Sequence, residues 1–70
     1  MQDVRQLVKM ANQIADNFSF HDDAVDRTYE HLKRFWAPSM HRKIVEYVAG
    51  DGDGLNDTAR AAVQRLAPPA

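Results

Sequence analysis

In "DVRQLVKMANQIADNF" the apolar side chains fall at Val4, Leu7, Val8, Ala11, Ile14, Ala15 and Phe18. Steps of three and four residues bring them to one face of an α-helix, because each residue turns about 100° around the axis. The spacing predicts a helix over 3–18. Asp3 suits its start, where a carboxylate accepts from free N–H groups and complements the helix dipole.

"SFHDD" breaks the period, and Ser19, Asp22 and Asp23 are each competent to cap a second helix. The next stripe, Val25, Tyr29, Leu32 and Trp36, predicts that helix over 23–36. Pro38 cannot continue it and pushes Ala37 out of the helical region, yet fits the first turn of a new one. A third helix is therefore predicted over 38–49, with Met40, Ile44, Tyr47 and Val48 inward. It ends at Gly50, a residue able to adopt the left-handed C-terminal conformation. "GDGDG" reads as a flexible acidic turn. Asn56 or Asp57 then caps a helix over 57–66 carrying Ala59, Ala62, Val63 and Leu66, and "APPA" at 67–70 reads as a frayed tail.

No stretch alternates apolar and polar residues in the manner of a strand, and none repeats. The prediction is an all-α fold: one small domain over 1–70, built of about four short helices. The short connections favour neighbouring, roughly antiparallel packing.

Composition narrows the chemistry. The chain has no cysteine, which removes disulfides, thiolate metal sites and cysteine nucleophiles together. Nine Lys plus Arg against ten Asp plus Glu leave a net charge of −1, so no overall field draws nucleic acid or an anionic membrane. Neither a signal peptide nor a membrane-spanning run is visible, and the expected location is cytoplasmic.

Particular motifs do not amount to a catalytic or metal centre. "DGDGLND" begins like a calcium loop, but Leu55, Asn56 and Ala62 stand where such a loop needs an oxygen ligand, a glycine and a glutamate. His21, His31 and His41 lack a second ligand at helical spacing and read as solvated. Ser19, Thr28, Ser39 and Thr58 lie where capping or solvent exposure accounts for them.

The stretch "HLKRFWAPSMHRKIVEYV" sets Lys33, Arg34, Arg42 and Lys43 around Phe35 and Trp36, a mixture that can bind phosphate and stack bases. Helical phase argues against that use, since Arg34 falls opposite the stripe on which Trp36 lies. Phe35 is about 100° from Trp36 and points to the flank. Met10 and Val45 are likewise off their stripes, and the uncharged amides of Asn12, Gln13 and Asn17 lie beside the first of them.

Three segments are more specific than periodicity: "LVKMANQIADNF" at 7–18, "HLKRFWAPSMHRKI" at 31–44 and "GLNDTARAAVQRL" at 54–66. Together they resemble the delta subunit of NAD-dependent formate dehydrogenase. The resemblance implies a non-catalytic accessory subunit of a soluble molybdenum or tungsten enzyme, supporting its assembly, maturation or stability. It also implies that a molybdenum or tungsten pterin, iron–sulfur clusters, FMN and the NAD site belong to other subunits, with no cofactor held by this chain. The expected partners are the large formate-oxidising subunit and the remaining subunits, with no nucleic acid, membrane or small-molecule substrate. On this reading Met10, Asn12 and Gln13 of the first helix, with Phe35, Pro38, Arg42 and Val45, are expected at the partner contact. Trp36 and Met40 are expected as internal anchors. The competing expectation is a freestanding helical module that binds nucleic acid or regulates another protein.

Overall fold

The computed structural model describes residues 3–67, and the end of the predicted tail, 68–70, lies outside them. Helix α1 spans Val4–Asn17, α2 Ala24–Phe35, α3 Pro38–Gly50 and α4 Asp57–Leu66, and no strand occurs among the described residues.

Capping chemistry sets these ends. Asp3 precedes α1 and accepts from the Arg5 N–H at 3.1 Å. Asn56 precedes α4, and its side-chain oxygen accepts from the Ala59 N–H at 2.8 Å. Asp23 occupies the same position before α2 but makes no side-chain cap; its carboxylate accepts from the Arg27 side chain at 2.7 Å. Pro38 takes the first turn of α3, where its missing N–H leaves no gap in the ladder.

The end of α3 differs from the sequence expectation. Gly50 is still helical, and the left-handed residue is Gly52, at φ 66°, whose N–H donates to the Tyr47 carbonyl at 2.9 Å. The "GDGDG" segment is a tethered loop. Arg60 donates to the Gly52 carbonyl at 2.7 Å, the Tyr47 hydroxyl to the Asp53 carbonyl at 2.6 Å, and the Asn12 amide to the Gly54 carbonyl at 2.8 Å. Three consecutive carbonyls thus each receive a side-chain donor, and Leu55, the next residue, is buried in the core.

That core draws Leu7, Val8, Ala11 and Ala15 from α1, Leu32 from α2, Trp36 from the corner, Ile44 from α3, and Ala59, Ala62 and Val63 from α4. Four alanines among them let the helix backbones approach closely. Helix α4 lies against all three others, most extensively against α2. By contrast α2 and α3 are consecutive yet barely touch, so short linkage does not make them packing neighbours. What closes their corner is His41, half-buried, whose Nε2–H donates to the Leu32 carbonyl at 2.5 Å. Thr28, expected at a cap or in solvent, is fully buried, and its hydroxyl donates one turn back to the Ala24 carbonyl at 2.8 Å.

No buried side-chain nitrogen or oxygen lacks a partner among the described residues. Their radius of gyration is 10.8 Å, against about 11 Å for a closed globule of this length. The described residues therefore fold onto their own core.

Candidate functional site

Where α1 ends, the chain turns tightly enough to set several rings side by side. Phe18 caps the helix with its N–H on the Ala15 carbonyl, and the His21 N–H returns to the Phe18 carbonyl at 2.9 Å. Ser19 supports the turn by donating its hydroxyl to the Asp16 carbonyl at 2.8 Å. This geometry brings Phe20 and His21 to 4.3 Å between ring centroids, and Phe18 to 6.2 Å from His21. Across on α2, His31 lies 6.3 Å from Phe18 and 4.8 Å from Phe35, which is one helical turn further on.

The result is a continuous array in the order Phe20, His21, Phe18, His31, Phe35. Its two ends are open to solvent: Phe20 is 80% exposed and Phe35 71% exposed. An exposed apolar residue alone is ordinary; here the two most exposed large ones among the described residues belong to one ring array, which makes this face the candidate contact surface. Beside the array is an open cleft of about 510 Å³, lined by Phe18, His31 and Phe35 together with Asp23, Asp26, Glu30, Arg27 and Arg34.

The charges around the cleft are paired, two closely and one loosely. Arg27 holds Asp23 at 2.7 Å, Arg34 stands 4.0 Å from Glu30, and Arg65 reaches across from α4 to Asp26. Arg65 also lies over the Tyr29 ring, 4.5 Å from its centroid. The hydrogen bond from Arg27 holds the Asp23 carboxyl below its ordinary value. All these pairs are open to water, where such contacts are weak, and Glu30, 4.0 Å from Arg34, is the least committed of the three carboxylates.

The residues expected at a partner contact are dispersed. Phe35 belongs to the ring array. Pro38 is exposed at the start of α3, and Gln13 is exposed on α1. Arg42 and Val45 line a separate shallow cleft of about 150 Å³ with His41, Glu46 and Leu66. Met10 is half-buried against the core. Asn12 works inside the fold: besides donating to Gly54, it accepts from the Asn56 N–H at 2.9 Å, so its amide ties the loop to α1. Of the two anchors, Trp36 is in the core at 6% exposure, while Met40 packs on its edge half-buried.

Sequence reasoning missed Phe20, His21 and His31 as members of one surface and placed Phe18 on the inner stripe of the first helix. None of the three histidines is fully solvated, since each is half-buried. A signal was present in the Phe-x-Phe-His run and in the His31/Phe35 spacing on the outer face of α2, but it connects two elements and needs their packing to be recognised. Among the described residues no group of three or more His, Asp or Glu side chains is placed to hold a metal, and no helix is long and apolar enough to cross a membrane.

Fold and surface together define a small four-helix protein with a self-contained core and one open aromatic face. Over residues 6–63 it matches the family model of the NADH-dependent formate dehydrogenase delta subunit FdsD, and the chain belongs to that family. Comparison with curated proteins and with solved structures gives no match.

Proposed function

We propose that this chain is a non-catalytic accessory subunit that docks on the large formate-oxidising subunit and supports assembly, maturation or stability of the complex. The observation that carries this reading is the family match across residues 6–63. It is supported by a fold that closes on its own core and still presents an exposed aromatic surface. The complex would carry the molybdenum or tungsten pterin, iron–sulfur clusters and FMN, and would use NAD, on its other subunits.

This chain's residues do not fit those groups. With no cysteine it has no thiolate for a cluster. Its one glycine-rich loop before a helix has three carbonyls held by side-chain donors and carries Asp51 and Asp53, the reverse of a phosphate cradle made of free N–H groups. The proposed location is the cytoplasm.

The test is removal of the chain from cells that make the complex. Yield of active formate dehydrogenase and its metal content should fall, and supplying the chain in trans should restore both. Unchanged yield and activity without it would overturn the accessory role.

A further inference from the structure

The aromatic array and the cleft beside it restrict what can sit on them. Phe20 and Phe35 are the large apolar side chains most open to solvent among the described residues, and both lie in the same array. Burying them needs an apolar counterpart. The same cleft presents Asp23, Asp26 and Glu30 against Arg27 and Arg34, with Asp22 also exposed at the start of the turn into α2. Ring faces are electron-rich, so together with these carboxylates they attract a planar cation; a guanidinium stacks on the one and forms paired hydrogen bonds with the other. Each cleft carboxylate has an arginine beside it, Asp23 with Arg27, Asp26 with Arg65 and Glu30 with Arg34, so the face lacks the cationic excess that draws nucleic acid.

We infer that this face receives a segment of another formate dehydrogenase subunit that presents an arginine next to an apolar side chain. The apolar group sits between Phe18 and Phe35 in the cleft, and the guanidinium lies over the rings and reaches Glu30. Glu30 is the available carboxylate because its own partner, Arg34, stands 4.0 Å away and both side chains are more than half exposed. Phe20 closes over the segment from the α1–α2 turn. A partner from another subunit is favoured over a second copy by the family itself, whose members are subunits of a heteromeric enzyme. The inference rests on the accessory-subunit reading above and adds the surface and the chemistry of what binds it.

The experiment uses the complete complex, expressed with a tag on this chain, and compares the natural sequence with Phe20→Ser, Phe35→Ser and Glu30→Lys. All three positions are exposed, so the helicity and melting temperature of the isolated chain should stay unchanged. Retention of the large subunit should fall about tenfold or more for each phenylalanine, as for aromatic anchors of other interfaces. Glu30→Lys should weaken retention and also remove much of its dependence on salt. If the natural chain retains the complex and all three variants retain it equally, the docking face lies elsewhere and only this inference falls. If the natural chain itself retains no formate dehydrogenase subunit, the accessory reading falls and takes the inference with it. A dimer of the natural chain in sedimentation, abolished by Phe20→Ser and Phe35→Ser, would name a second copy as the occupant and overturn the inference as well.

Discussion

Asn12 and Phe35 were both expected at a partner contact, and their surroundings separate them. Both ends of the Asn12 amide are bonded within the chain, to Gly54 and Asn56, whereas the Phe35 ring is 71% exposed and touches only His31 among the other rings. Asn12→Ala should therefore destabilise the isolated chain by about 1–3 kcal/mol, the cost of leaving a partly buried N–H and a carbonyl with poorer partners. Phe35→Ala should leave the melting temperature where it was. Trp36, adjacent in sequence, should behave oppositely to Phe35, because at 6% exposure its truncation opens a cavity in the common core. Truncation there costs about 3–5 kcal/mol, and a chain of this size holds only roughly 3.5–10 kcal/mol in total. Urea melts of the three variants would separate these roles: Trp36→Ala largely unfolded, Asn12→Ala shifted, Phe35→Ala unmoved.

Among elements, the α3–α4 connection offers the clearest contrast. Gly52 needs its positive φ of 66°, and a Cβ there would also run into the Arg60 guanidinium that holds the loop. Gly50 is helical, and a Cβ there meets nothing within 4 Å. Gly52→Ala should cost about 1–2 kcal/mol in left-handed strain, with further loss if Arg60 is displaced. Gly50→Ala should be neutral or stabilise by about 0.4–1 kcal/mol through the unfolded chain. Differential scanning calorimetry would reveal the opposite signs.

The helix starts give a second contrast. Asp3 is held below the ordinary carboxylate value chiefly by the Arg5 backbone N–H, and Asp23 chiefly by the Arg27 side chain. Since both folded values are depressed, their support is complete above the ordinary value of about 3.9 and disappears as the pH falls through the lowered ones. Carboxyl titrations followed by NMR should show Arg27→Gln returning Asp23 towards normal, while Arg5→Gln leaves Asp3 still depressed.

At the scale of the whole molecule, α2 and α3, which barely touch, are joined through α1 and through α4, and α4 packs against all three other helices. Disrupting it with Ala62→Asp, at a fully buried position, should collapse all helices in one transition. Circular dichroism and Trp36 fluorescence should then report coincident loss. The all-α class and the inward faces of the helices were legible because the apolar period is local and survives in one segment at a time. The tether from Asn12 to Gly54 was not, since it joins residues 42 positions apart and an asparagine on a helix flank looks the same whether it binds a loop or water. The ring array escaped for the same reason: Phe20 and Phe35 lie on different elements, and only packing sets them on one face. Thr28 shows the reverse case, a polar residue whose bond to its own helix lets it enter the core without a distant partner.

The central position of α4 has a consequence for how the protein is born. Ribosomes make a chain from its N-terminus, so α1, α2 and α3 are all made before the one helix that packs against every other exists. At about 5–20 residues per second, the interval between the end of α1 and the end of α4 is roughly 2–10 s. Throughout it Leu7, Val8 and Leu32 have no fourth helix to cover them. For those seconds the core lacks one side, whereas the segment that carries every ring of the aromatic face, 18–35, is already made.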